Sequence, residues 1–161
     1  MATGPGTPRL LREINDRAAL DLLLAHGSMT RAQLVAATGR IVLLTPTGLR
    51  RTARWADVVG VDKDLVLPRH PGLGTIGDPS TLVDDAHAVG LLVHVWTLRD
   101  ENGFLPTGYR RGESPSDPGD SIEETQAFLD AGVDGLFTDQ PDTTVEARRL
   151  HTSGIRIHAT T

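Results

Sequence analysis

The chain of 161 residues has no cysteine, which excludes disulfide frameworks and thiolate metal sites. Aromatic residues are scarce at 4%, and the apolar share is 39% beside 17 glycines and 10 prolines. That balance allows a globular protein with many turns but not a generously packed one. Lysine is almost missing: Lys63 is the one exception among fifteen arginines, a bias with no functional reading of its own. No apolar run reaches the ~18 residues of a spanning helix. Met1–Pro8 lacks the apolar core of a signal peptide, so a cytoplasmic product is the default expectation. The length suits one domain, since domains run to ~100–200 residues.

What the chain does have is unevenly spread. Residues 1–55 carry eight arginines against three acids, whereas residues 56–161 carry eight basic residues against eighteen acids. A net charge of -5 therefore hides a basic front and an acidic remainder. Such a split suggests two pieces with different partners.

The basic piece predicts two helices over residues 8–38. Thr7-Pro8 caps and starts the first, and Leu10, Leu11, Ile14, Ala18 and Leu22 recur at helical spacing. Gly27 ends it. Thr30 and Gln33 form a capping box for the second, which Gly39 closes. The runs Thr7–Asn15 and Leu24–Gly39 resemble the winged-helix start of the ROK (repressor, open reading frame, kinase) regulators. That resemblance implies a recognition helix after Gly39. The chain continues instead as Ile41–Leu44 and Pro46, a pattern for a strand and a turn. Arg9, Arg12, Arg17 and Arg31 are potential phosphate contacts or a solvated helix face. Phosphate contacts alone carry no base reading, so DNA is not the expected partner.

The acidic piece alternates between strand and helix. Ile41–Leu44 predicts a strand, Thr45-Pro46 a helix to about Trp55, and Val58–Val61 a second strand. Asp78-Pro79 opens a helix with a stripe of Leu82, Val83, Ala86 and Val89, ended by Gly90. Leu91–Leu98 is the strongest strand, apolar enough to be covered on both sides. Ser121 and Glu124 read as a capping box before a helix over Ile122–Ala131. Val133–Thr138 is the last strand, and Pro141–Arg149 the closing helix. Alternation of this kind implies parallel βαβ units.

The segments Ala56–Leu65, Leu82–Leu91, Val93–Arg99, Glu101–Pro106 and Ala131–Asp142 resemble, in order, the glycerophosphodiester phosphodiesterase family. The resemblance covers about residues 41–149. It implies the last four strands or so of a TIM barrel, and hydrolysis of glycerophosphodiesters to glycerol 3-phosphate and an alcohol. It also implies two histidines as general acid and base, and early-strand carboxylates holding a divalent metal, Mg or Ca. The family's His-Arg-Gly start, its Glu-x-Asp pair and its later Glu-x-Lys do not occur here. A complete (β/α)₈ barrel needs about 250 residues.

Active sites of these barrels lie at the C-terminal strand ends. The resemblance places Trp96 and Thr97 at the site mouth, where Trp96 packs either on a glycerol or alcohol moiety or simply in the core. Strict alternation puts Leu92, His94, Trp96 and Leu98 on one face. His94 and His87 read more readily as structural or surface side chains than as catalytic ones. Arg99 is a phosphate contact or a loop ion pair. It opens the long loop Asp100–Asp120, which is functional or disordered at such a length. Asp139 sits near the site face or caps the closing helix. Asp62 and Asp64 form an acidic pair without a third ligand, as in a solvated turn.

The expectation is an α/β fold, a partial barrel preceded by two helices. Residues 1–40 form an incomplete helix-turn-helix-like segment, residues 41–150 the half-barrel, and residues 151–161 a tail. The function expected is that of a phosphodiesterase-like protein, truncated and inactive alone, with a regulator fragment or a binding scaffold as alternatives. No catalytic residue or metal ligand is assigned. Self-association through open sheet edges is the further expectation.

Overall fold

The computed structural model describes residues 43–70 and 72–156. The chain divides into two units, Met1–Arg54 and Trp55–Thr161. The paired helices expected over residues 8–38, with their arginines, lie outside the described residues.

In the first unit the described part is short. Leu43 is helical and Leu44 lies in a turn, so these two residues do not form the expected strand. Pro46 starts a helix instead: its fixed φ suits the first helical position, and Thr45 turns its hydroxyl back to accept the Gly48 N–H at 3.1 Å. Helix α1 spans Pro46–Thr52, shorter than the stretch expected to reach Trp55.

The second unit is built on a three-stranded sheet of β1 (Val58–Asp62), β2 (Leu92–Leu98) and β3 (Gly135–Thr138), in that order. Both pairings are parallel. Between the strands run α2 (Leu82–His87) and α3 (Ser121–Asp130), and α4 (Pro141–Thr152) closes the chain. Each crossover thus returns the chain in the same direction, as a parallel sheet requires. The partial barrel shows three parallel strands among the described residues rather than four.

The core lies on one side of this sheet. Val61, Val93 and Val95 are buried there with Leu82, Val83, Ala86 and Phe128 from the helices. α2 packs on β2, and α3 packs on α4. Gly90 and Gly132, at φ of 80° and 83°, end α2 and α3 in the left-handed turn that a Cβ would strain. The opposite side of β2 is open, contrary to a strand covered on both sides: Leu92 is 45% exposed, and His94 and Trp96 are half-buried. Three strands cannot curl round to enclose their inner face as eight do. Strict alternation also fails at the end of β2. The register against β3 shifts between Val95 and Leu98, and Leu98 is buried instead of sharing the open side.

Two helix starts differ from expectation. α2 begins at Leu82, because Ser80 is held by Val66 and Leu65 carbonyls outside any helix. α3 begins at Ser121 itself, with Asp120 at the cap position and no side-chain cap. Glu124 therefore does not serve a capping box; its carboxylate points elsewhere.

Candidate functional site

A cleft of about 420 Å³ opens where β1 and β2 end. Asp62, Lys63, Asp64 and Arg69 line it from the chain after β1. Trp96, Thr97 and Arg99 line it from β2, and Gly103 and Phe104 from the loop beyond. The C-terminal ends of parallel strands are where such folds place ligands, because the connecting loops converge there.

Each wall has a local cause. Asp62 ends β1 and caps the turn Lys63–Leu65, its carboxylate accepting the Asp64 N–H at 3.0 Å. Asp64 in turn accepts from Arg69 Nε at 3.0 Å. The acidic pair is thus spent on a turn and an arginine. Among the described residues no three His, Cys, Asp or Glu side chains come together as a metal site would need. The residues of this cleft do not fit a divalent cation.

Arg99, the first residue after β2, forms an ion pair with Asp139 at 2.7 Å, and its guanidinium carbon lies 4.5 Å from the centre of the Phe104 ring. Asp139 follows β3 and does not line the cleft; Gln140, not Asp139, takes the cap position of α4. The structure therefore gathers Trp96, Thr97 and Arg99 on one cleft and attaches Asp139 to it through Arg99. His94 is elsewhere, edge-on to Phe137 at 6.0 Å and over Gly135, where a Cβ would lie 2.6 Å from its Nε2. His87 bonds Asp134 at 2.8 Å on the surface.

The deepest part of the site was not foreseen from the sequence. Lys63 Nζ is bound to Glu124 Oε1 at 2.7 Å, with side-chain exposures of 8% and 1%. The same Nζ donates to the Phe104 carbonyl at 3.1 Å, and Arg69 Nη2 donates to that carbonyl at 2.7 Å. Burial pushes the Glu124 carboxyl above the usual carboxylate range, and Lys63 pulls against that shift without cancelling it. Its second oxygen, Oε2, is buried with no hydrogen-bond partner. The one signal in the sequence was the solitary lysine. The spacing of Ser121 and Glu124 concealed the other half of the pair.

The loop between β2 and α3 is ordered around Asn102. That side chain donates to the Arg111 and Ser114 carbonyls and accepts the Arg111 N–H at 2.8 Å. An antiparallel bridge of Glu101 with Pro118 and an Arg111–Asp120 ion pair close its base. Phe104 is thereby held over the cleft.

Together these features define a parallel α/β sheet whose strand ends carry a cleft lined by Trp96, Lys63, two arginines and two aspartates. The model of the Glycerophosphoryl diester phosphodiesterase family matches residues 9–143. The chain belongs to that family. The match takes in residues 9–40, so most of the stretch that resembles the regulators lies inside it. No curated protein matches the chain. The family's hydrolases are in general metal-dependent and act on small glycerophosphodiesters. No helix among the described residues is long and apolar enough to cross a membrane.

Proposed function

We propose that the cleft binds the phosphate-bearing end of a glycerophosphodiester and that this chain alone does not hydrolyse it. The observation that carries the reading is the convergence of Trp96, Arg69 and Arg99 at the strand ends of a chain in this family. Arg99 and Arg69 face the phosphate; a planar guanidinium matches two phosphate oxygens at once. Trp96 packs on the glycerol or alcohol carbons, and Thr97 offers a hydroxyl beside it. Asp139 orients Arg99 from the next strand.

Hydrolysis requires more than binding. An acid–base pair must move protons at the leaving and attacking oxygens, and a cation must offset the charge that builds on the phosphate. The cleft residues supply positive charge through arginine but no histidine, and they do not fit a divalent metal. Purified chain assayed for glycerophosphodiester release with Mg²⁺ or Ca²⁺ is expected to show no turnover; a rate above ~1 s⁻¹, an ordinary enzyme scale, refutes that part. Titration calorimetry with glycerophosphocholine is expected to show binding that Arg99→Ala weakens by about tenfold or more. Equal affinity in the variant refutes the assigned site.

The edges of β1 and β3 are unpaired among the described residues. Self-association through them is part of the proposal, since an open edge is a template for another strand. Size-exclusion chromatography across a concentration series tests it, and an invariant monomer counts against it.

A further inference from the structure

Three cations meet around one residue of the loop. The Phe104 carbonyl accepts from both Lys63 and Arg69, and the Phe104 ring lies against Arg99. Such a gathering is self-repelling unless carboxylates balance it. Asp64 balances Arg69 and Asp139 balances Arg99, both at partly exposed positions. Lys63 is balanced by Glu124, and this pair alone is buried.

A buried ion pair is a poor way to stabilise a fold. Desolvation of the two charges offsets much of their attraction, and apolar side chains of similar size often serve as well or better. The pair here also leaves one carboxylate oxygen buried and unpartnered. What the pair does secure is geometry. Glu124 projects from α3 and holds Lys63 just after β1; Lys63 holds the Phe104 carbonyl; Phe104 sets the spacing between Arg69 and Arg99. Apolar replacements would fill the space without directing a hydrogen bond at that carbonyl.

We propose that Glu124 is a positioning residue for the anion cleft: through Lys63 and Phe104 it fixes Arg69 and Arg99 as a clamp on the phosphodiester. The proposal rests on the binding role given above to the same cleft. It also predicts a pH dependence, because protonated Glu124 releases Lys63. The charged and titratable groups that act on this region are Lys63, Asp64 and Arg69 after β1, Tyr109 in the loop and Glu123 beside Glu124 on α3. Burial raises the Tyr109 phenol further above its usual range, with Glu123 and Glu124 adding to the shift, so it stays neutral throughout. Glu124 itself is the acid displaced upward, so it takes its proton before an ordinary carboxylate does.

The test uses glycerophosphocholine, whose diester phosphate keeps its single negative charge, titrated into wild type, Glu124→Gln and the apolar pair Lys63→Met with Glu124→Leu. Positioning predicts a loss of roughly tenfold in affinity in both variants, the size of one charge-assisted hydrogen bond. It also predicts that wild-type affinity falls as the pH is lowered from about 8 towards 4.5, while Glu124→Gln gives a flat profile. If Glu124 merely cancels charge, Glu124→Gln binds more tightly than wild type, and the proposal is overturned. If its role is only structural, melting temperatures move but the affinity of the folded protein does not, and the proposal is again overturned. A ligand-free readout covers the remaining case. The guanidinium Nη–H signals of Arg69 and Arg99 in ¹⁵N NMR are expected to be slowly exchanging in wild type and fast in both variants. Unchanged signals refute positioning even where no ligand binds, whereas altered signals without binding uphold the clamp and refute only the ligand assignment.

Discussion

Replacing Asn102 with alanine removes the peg around which the long loop is folded. The side chain belongs to a residue only 4% exposed, and it makes three hydrogen bonds: to the Arg111 carbonyl, to the Ser114 carbonyl at 3.0 Å and from the Arg111 N–H at 2.8 Å. At ~0.5–1.5 kcal/mol each, their loss sums to about 1.5–4.5 kcal/mol. Water reaching the freed groups trims the upper end, so about 2–3 kcal/mol is expected. A domain of this size is stable by only ~5–15 kcal/mol, so the variant folds but is visibly weakened. The loss should be local as well as global. The amides of Leu105, Gly119 and Asp120 all bond within the loop region, and they should exchange with deuterium ~30–150-fold faster. Amides of Val93 and Val95, in the sheet, should change less. Urea unfolding measures the first quantity and exchange mass spectrometry the second. Asn102→Asp is the control: it keeps the acceptor for Arg111 but sets a negative charge against two carbonyls, and it should be no better than alanine. A cost below ~0.5 kcal/mol, or equal acceleration in loop and sheet, would refute the claim that Asn102 holds the loop.

Two further predictions concern the scaffold. Asp134 accepts the Val93 N–H at 2.8 Å and bonds His87; burial would raise its carboxyl, but these partners hold it below the usual range. A depressed carboxylate adds stability above its unfolded value of about 3.9 and loses it as the pH falls through the folded value. Asp134→Asn should therefore cost about 1 kcal/mol at neutral pH, with the gap closing in acid; a gap that persists at low pH contradicts the assignment. Phe128, 1% exposed on α3, should cost about 3–5 kcal/mol as alanine in a urea titration, and a cost under ~1 kcal/mol would mean that it is not core.

Three of the four expected strands were legible because their apolar runs are short and bounded by turn residues, whereas the run ending in Leu43 and Leu44 was misread. Val58–Val61 became Val58–Asp62, and Leu91–Leu98 became Leu92–Leu98. Helix ends marked by glycine were legible for the same local reason: Gly90 and Gly132 take the left-handed turn that no other residue adopts cheaply. What failed was what depends on distant parts of the chain. The spacing of Ser121 and Glu124 satisfies a capping box, yet an ion pair to a residue 61 positions away claimed the carboxylate. Trp96 and Thr97 were expected at the site mouth by resemblance and Arg99 from its place at the strand end; all three line the cleft, and Asp139 is tied to it only through its ion pair with Arg99. Arg69 escaped notice because its partners, Asp64 and the Phe104 carbonyl, meet only once the loop is folded. The open side of β2 escaped too, since an apolar strand looks the same whether or not other strands close over it.

The burial of Lys63 makes the chain self-reporting. It is the only ε-amine in the sequence, and in the folded state it is tied to Glu124 and Phe104. Reagents that acylate lysine, and enzymes that acetylate or methylate it, meet no freely presented side-chain amine. Acylation at position 63 must wait for the loop to swing away from the strand end, so its rate times that opening without any engineered label.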